Sequence, residues 1–354
     1  MKKITAALLF VLVSVCVMAQ TMKLPIDPAV RVGKLDNGLT YYIRHNVEPK
    51  GQADFFIAQK VGSMQEEDNQ RGLAHFLEHM CFNGTTHFPG KALIEWLESV
   101  GVKFGYNLNA YTSLDETVYN ISSVPVSREG IIDSCLLILH DWSHDLLLED
   151  KEIDAERGVI HEEWRGQSAV SRMITNALPL MYPDCRYGHR MPIGTMEVVD
   201  HFAPQVLRDY YHRWYRPDLQ AIIVVGDIDA DAIESKIKTT FAGIALPVER
   251  AERTYEQVAD NAEPIVVVTS DKEMNANSFS VMFKSDKLPK ELKNTPQEFM
   301  VNYMANMTTT MLTTRLDEQL LASEPPFIKA AASEGDFFVA RTKDAYSLDG
   351  YYAD

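Results

Sequence analysis

The sequence has no strongly basic region, few cysteines and, after Gln20, no long apolar run. Its 354 residues include 34 Lys and Arg against 50 Asp and Glu, which gives a formal net charge of −16. This charge argues against a nucleic-acid partner, which would require a basic face. No stretch after Gln20 is long and apolar enough to span a bilayer, so we expect no transmembrane segment. The composition is that of a globular protein with room for about two domains.

Residues 1–19 predict a signal peptide for export. Lys2 and Lys3 form a positive n-region, Ile4–Val15 is the apolar h-region, and Val17-Met18-Ala19 is a small-residue cleavage site. The apolar run is too short for a stable membrane span. We therefore expect the mature protein to be exported.

The sequence contains four cysteines, and only three remain once Cys16 leaves with the signal peptide. An odd number gives no disulfide framework. Cys16 would be the lipidated residue of a lipoprotein signal, but the preceding Val15 is too bulky for that signal. We expect Cys81 to be a buried small residue. The sequence leaves open whether Cys135 and Cys185 pair.

The segment Arg71–Pro89 contains the pattern H-x-x-E-H, formed by His75, Glu78 and His79. If the segment is helical, residues three and four apart share a face, so both imidazoles can bind one metal ion. Two neutral imidazoles bind zinc, and a carboxylate that is not a ligand can take a proton from the metal-activated water. The alternative is an amphipathic helix without a metal, because the other face carries a core-facing stripe. This stripe consists of Leu73, Phe76, Leu77 and Met80.

A zinc site of this kind needs a third protein ligand and one open position. Glu156 and Glu163 are seven residues apart on a predicted helix, Glu149–Gln167, which places them within about 20° of each other. Either acid could therefore face a metal. A helix with two aligned acids is, however, usually a solvated surface.

The remaining pattern mixes strands and helices without strict alternation, which predicts the α+β class. Asn37-Gly38 between two β-prone runs predicts a hairpin over Val30–Arg44. The other predicted strands are Ala53–Val61, a pair within Asn107–Ser122, Ala221–Gly226, Ile265–Thr269 and Ser278–Phe283. The other predicted helices are Lys91–Val100, Arg128–Leu147, Phe202–Tyr215, Asp231–Phe241 and Pro296–Leu321.

Three stretches in this order carry a family resemblance: AHFLEHMCFNGT, GVKFGYNLNAYTSLDETVYNI and AERGVIHEEWR. Together they resemble the pitrilysin/insulin-degrading enzyme (insulinase) family of inverted-motif zinc peptidases, in particular its bacterial exported "zinc protease" branch. A further stretch, YYHRWYRPDLQAIIVVGDID, resembles the close of the family's first domain. The resemblance covers about Leu24–Phe241 and continues more weakly to the end.

The resemblance implies a role for each matching residue. His75, His79 and Glu163 match the family's ligands of one Zn²⁺ ion per chain, and Glu78 matches its catalytic base. Glu156 matches the second acid, which supports the site. The implied activity is a zinc endopeptidase that hydrolyses peptides or small unfolded polypeptides, and the implied location is the periplasm.

The resemblance also implies where a peptide binds and how the chain folds. Asn109 and Ala110 match the edge strand against which the family lays its peptide substrate. The implied fold is a mixed or antiparallel sheet with helices packed on one face, which forms one half of a clamshell. The non-catalytic alternative within the family is a partner or peptide-holding subunit.

The predicted domains are a signal peptide (1–19), a catalytic zinc-binding domain (20–243), a linker (244–263) and a partial second, similar but non-catalytic domain (264–354). Family members have two halves of two such domains each. We therefore expect a truncated form, which lacks a C-terminal half or a partner subunit. The second-half arginine and tyrosine that the family uses to stabilise its tetrahedral intermediate have no counterpart in this sequence.

Other histidines are candidates of lower specificity. His140 and His144 are four residues apart beside Asp145, so a second metal site is conceivable. Nothing else in the family pattern points there, and a surface or capping role is favoured. His87 follows the end of the motif helix and is expected to be a loop residue.

Overall fold

The computed structural model describes residues 22–352, so the predicted signal peptide lies outside the described part of the chain. Two compact units are present, one formed by Asp27–Thr254 and the other by residues 22–26 and 255–352. The division lies within the predicted linker, and the assignment of catalytic and non-catalytic domains stays a prediction. Within residues 22–352 no helix combines the length and apolar character needed to cross a membrane.

The larger unit is built on a mixed six-stranded sheet with the order β1-β2-β6-β3-β5-β4. Its strands are β1 (Val30–Lys34), β2 (Thr40–His45), β3 (Gln52–Gln59), β4 (Leu108–Thr112), β5 (Thr117–Pro125) and β6 (Gln220–Gly226). Strands β2 and β6 are parallel, and the other neighbours are antiparallel. The predicted hairpin is confirmed as β1–β2, with Gly38 at positive φ in its turn.

One face of this sheet is covered by helices. Along β3 and β6, buried residues alternate with partly exposed ones, as expected when one face packs on a core and the other does not. The helices are α1 (Leu73–Met80), α2 (Ala92–Ser99), α3 (Ile131–His144), α4 (Asp150–Arg165), α5 (Ala169–Met181), α6 (Met196–Val199), α7 (Pro204–Trp214) and α8 (Ala230–Phe241). The α+β prediction is confirmed.

Helix α1 lies in the core because its apolar stripe is buried. Leu73, Phe76, Leu77 and Met80 are each at most 1% exposed. The ring of Phe76 packs edge-on against Phe202, and Trp142 Nε1 donates to the carbonyl of Cys81 at 2.8 Å. Helix α4 contacts α1 and buries Ile153 and Ile160. The two predicted site helices are therefore packed side by side.

The smaller unit contains an antiparallel sheet, with the order β7-β9-β8, and one long helix. Its elements are β7 (Asn277–Asp286), α9 (Pro296–Gln319), β8 (Lys329–Phe337) and β9 (Ala340–Tyr352). The predicted strand Ile265–Thr269 is wrong, because this segment has no strand partner and exposes Val266 and Val268 by 82% and 84%. Branched residues favour a strand only where a neighbouring strand completes the pairing.

Cys81 and Cys135 are free thiols. Cys81 is completely buried, as predicted, and Cys135 is buried as well. Burial raises the pKa of the Cys135 thiol to about 12. Neither of these two buried thiols is therefore suited to act as a nucleophile near neutral pH.

Gly194 lies against the start of helix α1 and has a positive φ of 67°. A Cβ atom there would be 2.4 Å from both the carbonyl of Arg71 and the Cα of Gly72. We expect Gly194→Ala to destabilise the larger unit by about 1–3 kcal/mol, because the added methyl overlaps backbone and the φ is unfavourable.

Thermal unfolding followed by circular dichroism measures this effect, which should lower Tm by about 2–4 °C per kcal/mol. Gly243→Ala is the matched control, since among residues 22–352 no atom that its added Cβ would meet lies within 4 Å. Equal unfolding temperatures for the two variants would contradict the close approach at Gly194.

Candidate metal centre

Two histidines project from one face of helix α1. His75 and His79 are one turn apart, and their rings meet edge to face with centroids 4.7 Å apart. Their Nε2 atoms are 3.2 Å apart, and their side chains are only 12% and 22% exposed. Burial lowers the pKa of His75 to about 4, with a further contribution from His79. His75 is therefore neutral at neutral pH, which is the form that binds a metal.

Glu163 of helix α4 brings a third donor atom to the two imidazoles. Its Oε2 lies 3.6 Å from His75 Nε2 and 3.4 Å from His79 Nε2. Ligands bound at 2.0–2.1 Å to tetrahedral zinc are about 3.3–3.4 Å apart, so this triangle has the size that zinc requires. Two imidazole nitrogens and one carboxylate oxygen are also a donor set that suits zinc. A hydrogen bond with His79 lowers the pKa of Glu163, which keeps its carboxylate ionised.

Glu156 lies behind His79 rather than at this triangle. Its Oε1 is 2.8 Å from Nδ1 of His79, on the side of the ring opposite to the donor atom. This hydrogen bond favours the proton on Nδ1, so that in the neutral ring the lone pair of Nε2 faces the triangle. Burial acts to raise the pKa of Glu156, but hydrogen bonds with His79 and Asn83 outweigh it and the pKa is lowered.

Asn83 and Lys91 extend this support, and sequence reasoning missed both. Asn83 Nδ2 donates to Glu156 Oε2 at 2.7 Å, and Lys91 Nζ donates to Asn83 Oδ1. The Asn83 side chain thereby fixes the carboxylate that orients His79. Neither residue belongs to a metal-ligand spacing in the sequence. Their role is seen only from the contacts that the folded chain makes after α1.

Glu66 holds the start of helix α1, and sequence reasoning missed it too. Gly72 precedes the helix and has no side chain to cap it, but the Glu66 carboxylate accepts the N–H groups of Gly72 at 3.1 Å and Ala74 at 2.8 Å. Such N–H groups otherwise have no partner at a helix start. Burial raises the pKa of Glu66 to about 8, against these N–H groups and the nearby guanidinium of Arg190.

Glu78 lies on α1 but is not one of the three clustered donors. Its side chain is buried, and Thr112 Oγ1 donates to its Oε2 at 2.5 Å. Burial raises the pKa of Glu78, and the hydrogen bond from Thr112 opposes that shift. Since Thr112 belongs to β4, this hydrogen bond joins the Glu78 carboxylate to the edge strand of the sheet.

The two predicted peptide-binding residues, Asn109 and Ala110, lie on β4, which is the last strand of the six-stranded sheet. The residues that flank β4, Asn107 and Ser113, bond toward β5: Ser122 N donates to Asn107 O, and Ser113 N donates to Glu116 O. Backbone groups alternate in direction along an antiparallel strand, so those of Ala110 and Thr112 point away from β5. The role of Asn109 and Ala110 in peptide binding stays a prediction.

Two models of one peptidase family match this sequence. The model described as Insulinase (Peptidase family M16) matches residues 43–179, and the Peptidase M16 inactive domain matches residues 201–333. The chain belongs to the M16 peptidase family. The first match includes all three clustered donors and Glu78.

Individual relatives of this chain are named zinc proteases. Probable zinc protease PqqL of Escherichia coli (strain K12) is 38% identical over 302 residues, which are 85% of this chain and 32% of that protein. Zinc protease PQQL-like of Arabidopsis thaliana is 32% identical over 320 residues, 88% of this chain and 32% of that protein. The chain thus spans about a third of the length of these relatives.

A solved M16 structure has the same fold. The first half of the periplasmic protease PqqL from Escherichia coli gives a TM-score of 0.81 at 33% identity, over 94% of this chain and 70% of that one. The predicted mixed sheet with helices on one face is therefore confirmed, as is the resemblance to pitrilysin-type peptidases.

The Asn83 contact leads to a test of metal affinity. We expect Asn83→Ala to weaken zinc binding by about 10–100-fold, because the loss of an outer partner frees the carboxylate that orients His79. The measurement is competition with a chromophoric chelator. Asn46→Ala is the control, since its side chain bonds to the nearby backbone of Glu48. Equal zinc affinity for both variants would show that Asn83 does not support the centre.

Proposed function

We propose that this chain carries the catalytic site of an exported zinc endopeptidase acting on peptides or small unfolded polypeptides. The observation that carries the proposal is the triangle of donor atoms from His75, His79 and Glu163, with the buried Glu78 carboxylate beside it. The names of the relatives, zinc proteases, support one zinc ion at this triangle. The periplasmic description of the Escherichia coli structure supports export to the periplasm.

In this proposal, three residues bind the metal and a fourth transfers protons. His75 and His79 hold zinc through Nε2, and Glu163 holds it through its carboxylate. When bound, zinc supplies a Lewis acid that activates water for attack on a peptide carbonyl. Glu78 accepts the proton of the attacking water and then donates it to the leaving amine nitrogen. Its raised pKa favours the first step, because a more basic carboxylate takes up a proton more readily, and Thr112 fixes its orientation.

The peptide is proposed to lie along β4. An extended chain paired with Ala110 and Thr112 would gain backbone hydrogen bonds with little sequence preference. The hydrogen bond from Thr112 to Glu78 supports this arrangement, because it joins the proposed base to this strand. Selection would then depend on the length and flexibility of the substrate rather than on one side chain.

We also propose that full turnover requires a C-terminal half or partner subunit, because the relatives are about three times as long as this chain. The alternative function is a non-catalytic subunit that holds peptides. It would use the same β4 edge, but it gives no reason for a complete donor triangle with a buried carboxylate beside it. These residues favour the enzyme.

Glu78→Gln tests the proposed base. The change conserves side-chain size, so we expect zinc to stay bound while turnover falls by about 10²–10⁴-fold. His79→Ala is the matched variant that should lose zinc as well. Metal content and cleavage of a quenched fluorescent peptide are measured on this chain and on a protein extended to the relatives' length.

The outcomes separate the two functions. Turnover of zinc-loaded Glu78→Gln at the wild-type rate would remove Glu78 as the base, and loss of its zinc would make it a ligand instead. If the extended wild-type protein binds zinc and peptide but cleaves nothing, the non-catalytic alternative is correct.

Ala110→Pro tests the peptide-binding edge. Proline removes the N–H group that points away from β5, and an edge strand tolerates it. Losing one backbone hydrogen bond should weaken peptide binding by about 2–12-fold. Fluorescence anisotropy with the zinc-loaded Glu78→Gln background measures binding without cleavage. Asn109→Ala keeps its backbone donor and serves as the control; a larger loss in that variant would mean that side chains, not backbone, hold the peptide.

A further inference from the structure

A row of polar side chains crosses the core face of the six-stranded sheet near one end. In order from β4 to β6 its members are Thr112, Thr117, Gln59 and Gln220, each directly opposite the next. Directly opposite residues of antiparallel strands point to the same face of a sheet, with Cβ atoms about 4.5–5.5 Å apart. Thr117, Gln59 and Gln220 are each at most 3% exposed. Polar groups buried this deeply need hydrogen-bond partners.

Both ends of this polar row have partners. At the β4 end, Thr112 Oγ1 donates to Glu78 Oε2 at 2.5 Å, and Thr117 Oγ1 lies 3.5 Å from Thr112 Oγ1. At the β6 end, Ser143 Oγ donates to Gln220 Oε1 at 2.9 Å, and Gln220 Nε2 donates to the Ser143 carbonyl at 3.1 Å. The polar row thus starts at the proposed catalytic base and ends on helix α3.

Gln59, in the middle of the polar row, is the observation that requires an explanation. Its side chain is completely buried, and neither Nε2 nor Oε1 has a hydrogen-bond partner among residues 22–352. A buried amide without a partner is costly, whereas an apolar side chain of similar size would avoid that cost. Buried water molecules occupy such positions in proteins, and each makes about three hydrogen bonds to polar groups that are otherwise unsatisfied.

Thr117 offers a second partner for a buried water molecule. Its single hydroxyl proton is donated to the Val61 carbonyl at 2.9 Å, so its oxygen keeps the capacity to accept a hydrogen bond. Thr117 and Gln59 are directly opposite each other on β5 and β3 and point to the same face. The Gln59 amide supplies a donor and an acceptor, and the Thr117 hydroxyl supplies a further acceptor.

We propose that Gln59 and Thr117 bind one buried water molecule between β3 and β5, and that both are positioning residues for Glu78. The water accepts from Gln59 Nε2 and donates to the hydroxyl oxygen of Thr117. Thr117 then restrains the Thr112 hydroxyl, which lies against it and donates to Glu78. Hydrogen bonds in such a chain strengthen one another. This positioning role rests on the proposed function, in which Glu78 is the base.

Two substitutions remove the proposed partners of the water while changing side-chain volume little. Gln59→Met removes the amide, and Thr117→Val replaces the hydroxyl by a methyl group. Each should lower kcat by about 2–12-fold, the effect of one hydrogen bond, while zinc content and KM stay unchanged. Thr117→Ser keeps the hydroxyl and should restore kcat. Ile57→Val is the control, because it alters another completely buried position on the same face of β3 and should leave kcat unchanged.

Turnover is measured on zinc-loaded protein extended to the relatives' length, as for Glu78→Gln. Because the proposed effect passes through the base, Gln59→Met should cause no further loss when it is combined with Glu78→Gln. An equal fold loss in both backgrounds, or an unchanged kcat in Gln59→Met or in Thr117→Val, would overturn the positioning role. Failure of the proposed function is recognised separately, as turnover at the wild-type rate by zinc-loaded Glu78→Gln alone.

Crystal structures of the zinc-loaded wild-type and Gln59→Met chains test the water itself and do not depend on turnover. We expect one ordered water within about 2.7–3.2 Å of both the Gln59 side chain and Thr117 Oγ1. In Gln59→Met this water should be lost, and the hydrogen bond from Thr112 to Glu78 should lengthen. A wild-type Gln59 amide without a bound water would overturn the proposal, as would an unchanged bond from Thr112 to Glu78 in the variant.

Discussion

The contact between helices α1 and α4 is the constraint on which the proposed metal centre depends. Helix α1 is only eight residues long, and it buries its apolar stripe on one side while carrying two histidines on the other. Both acids of α4 contact His79. Glu156 Oε1 is 2.8 Å from its Nδ1 atom, and Glu163 Oε2 is 3.4 Å from its Nε2 atom. The spacing of seven residues on α4 thus separates a supporting acid from a donor acid.

The polar groups around α1 are held by partners from several parts of the larger unit. Glu66 satisfies the N–H groups at the helix start, Asn83 follows the helix end, and Thr112 reaches Glu78 from the sheet edge. A buried polar group without a partner would be costly, so these contacts restrict where α1 can lie. The same contacts orient the side chains proposed to bind zinc and to move protons.

The sequence was sufficient for features that depend on helical spacing and turn chemistry. The placement of His75, Glu78 and His79 on one helix, and the hairpin at Asn37-Gly38, follow from such local rules. Spacing alone could not assign the roles of Glu156 and Glu163, because both acids share a face and only the packed partner distinguishes them.

Features that depend on tertiary packing were not predicted from the sequence. Asn83 and Glu66 belong to no ligand pattern. Their roles follow from contacts at the two ends of helix α1 in the folded structure. The segment Ile265–Thr269 had strand propensity but no partner strand. The long strand β9 was missed because its sequence, ARTKDAYSLDGYY, shows no clear alternation of apolar and polar residues. Pairing partners, rather than propensity, decided both outcomes.

The position of β6 has a consequence for how the larger unit folds. It is the last strand of that unit along the chain, yet it lies between β2 and β3 in the middle of the sheet. Non-local pairing of this kind slows folding, because the chain must close a long loop before the contact forms. The three clustered donors all precede residue 164, but the sheet beneath them stays in two pieces until residues 220–226 insert. A strand that contributes no side chain to the donor triangle therefore completes the sheet of the unit that holds this triangle.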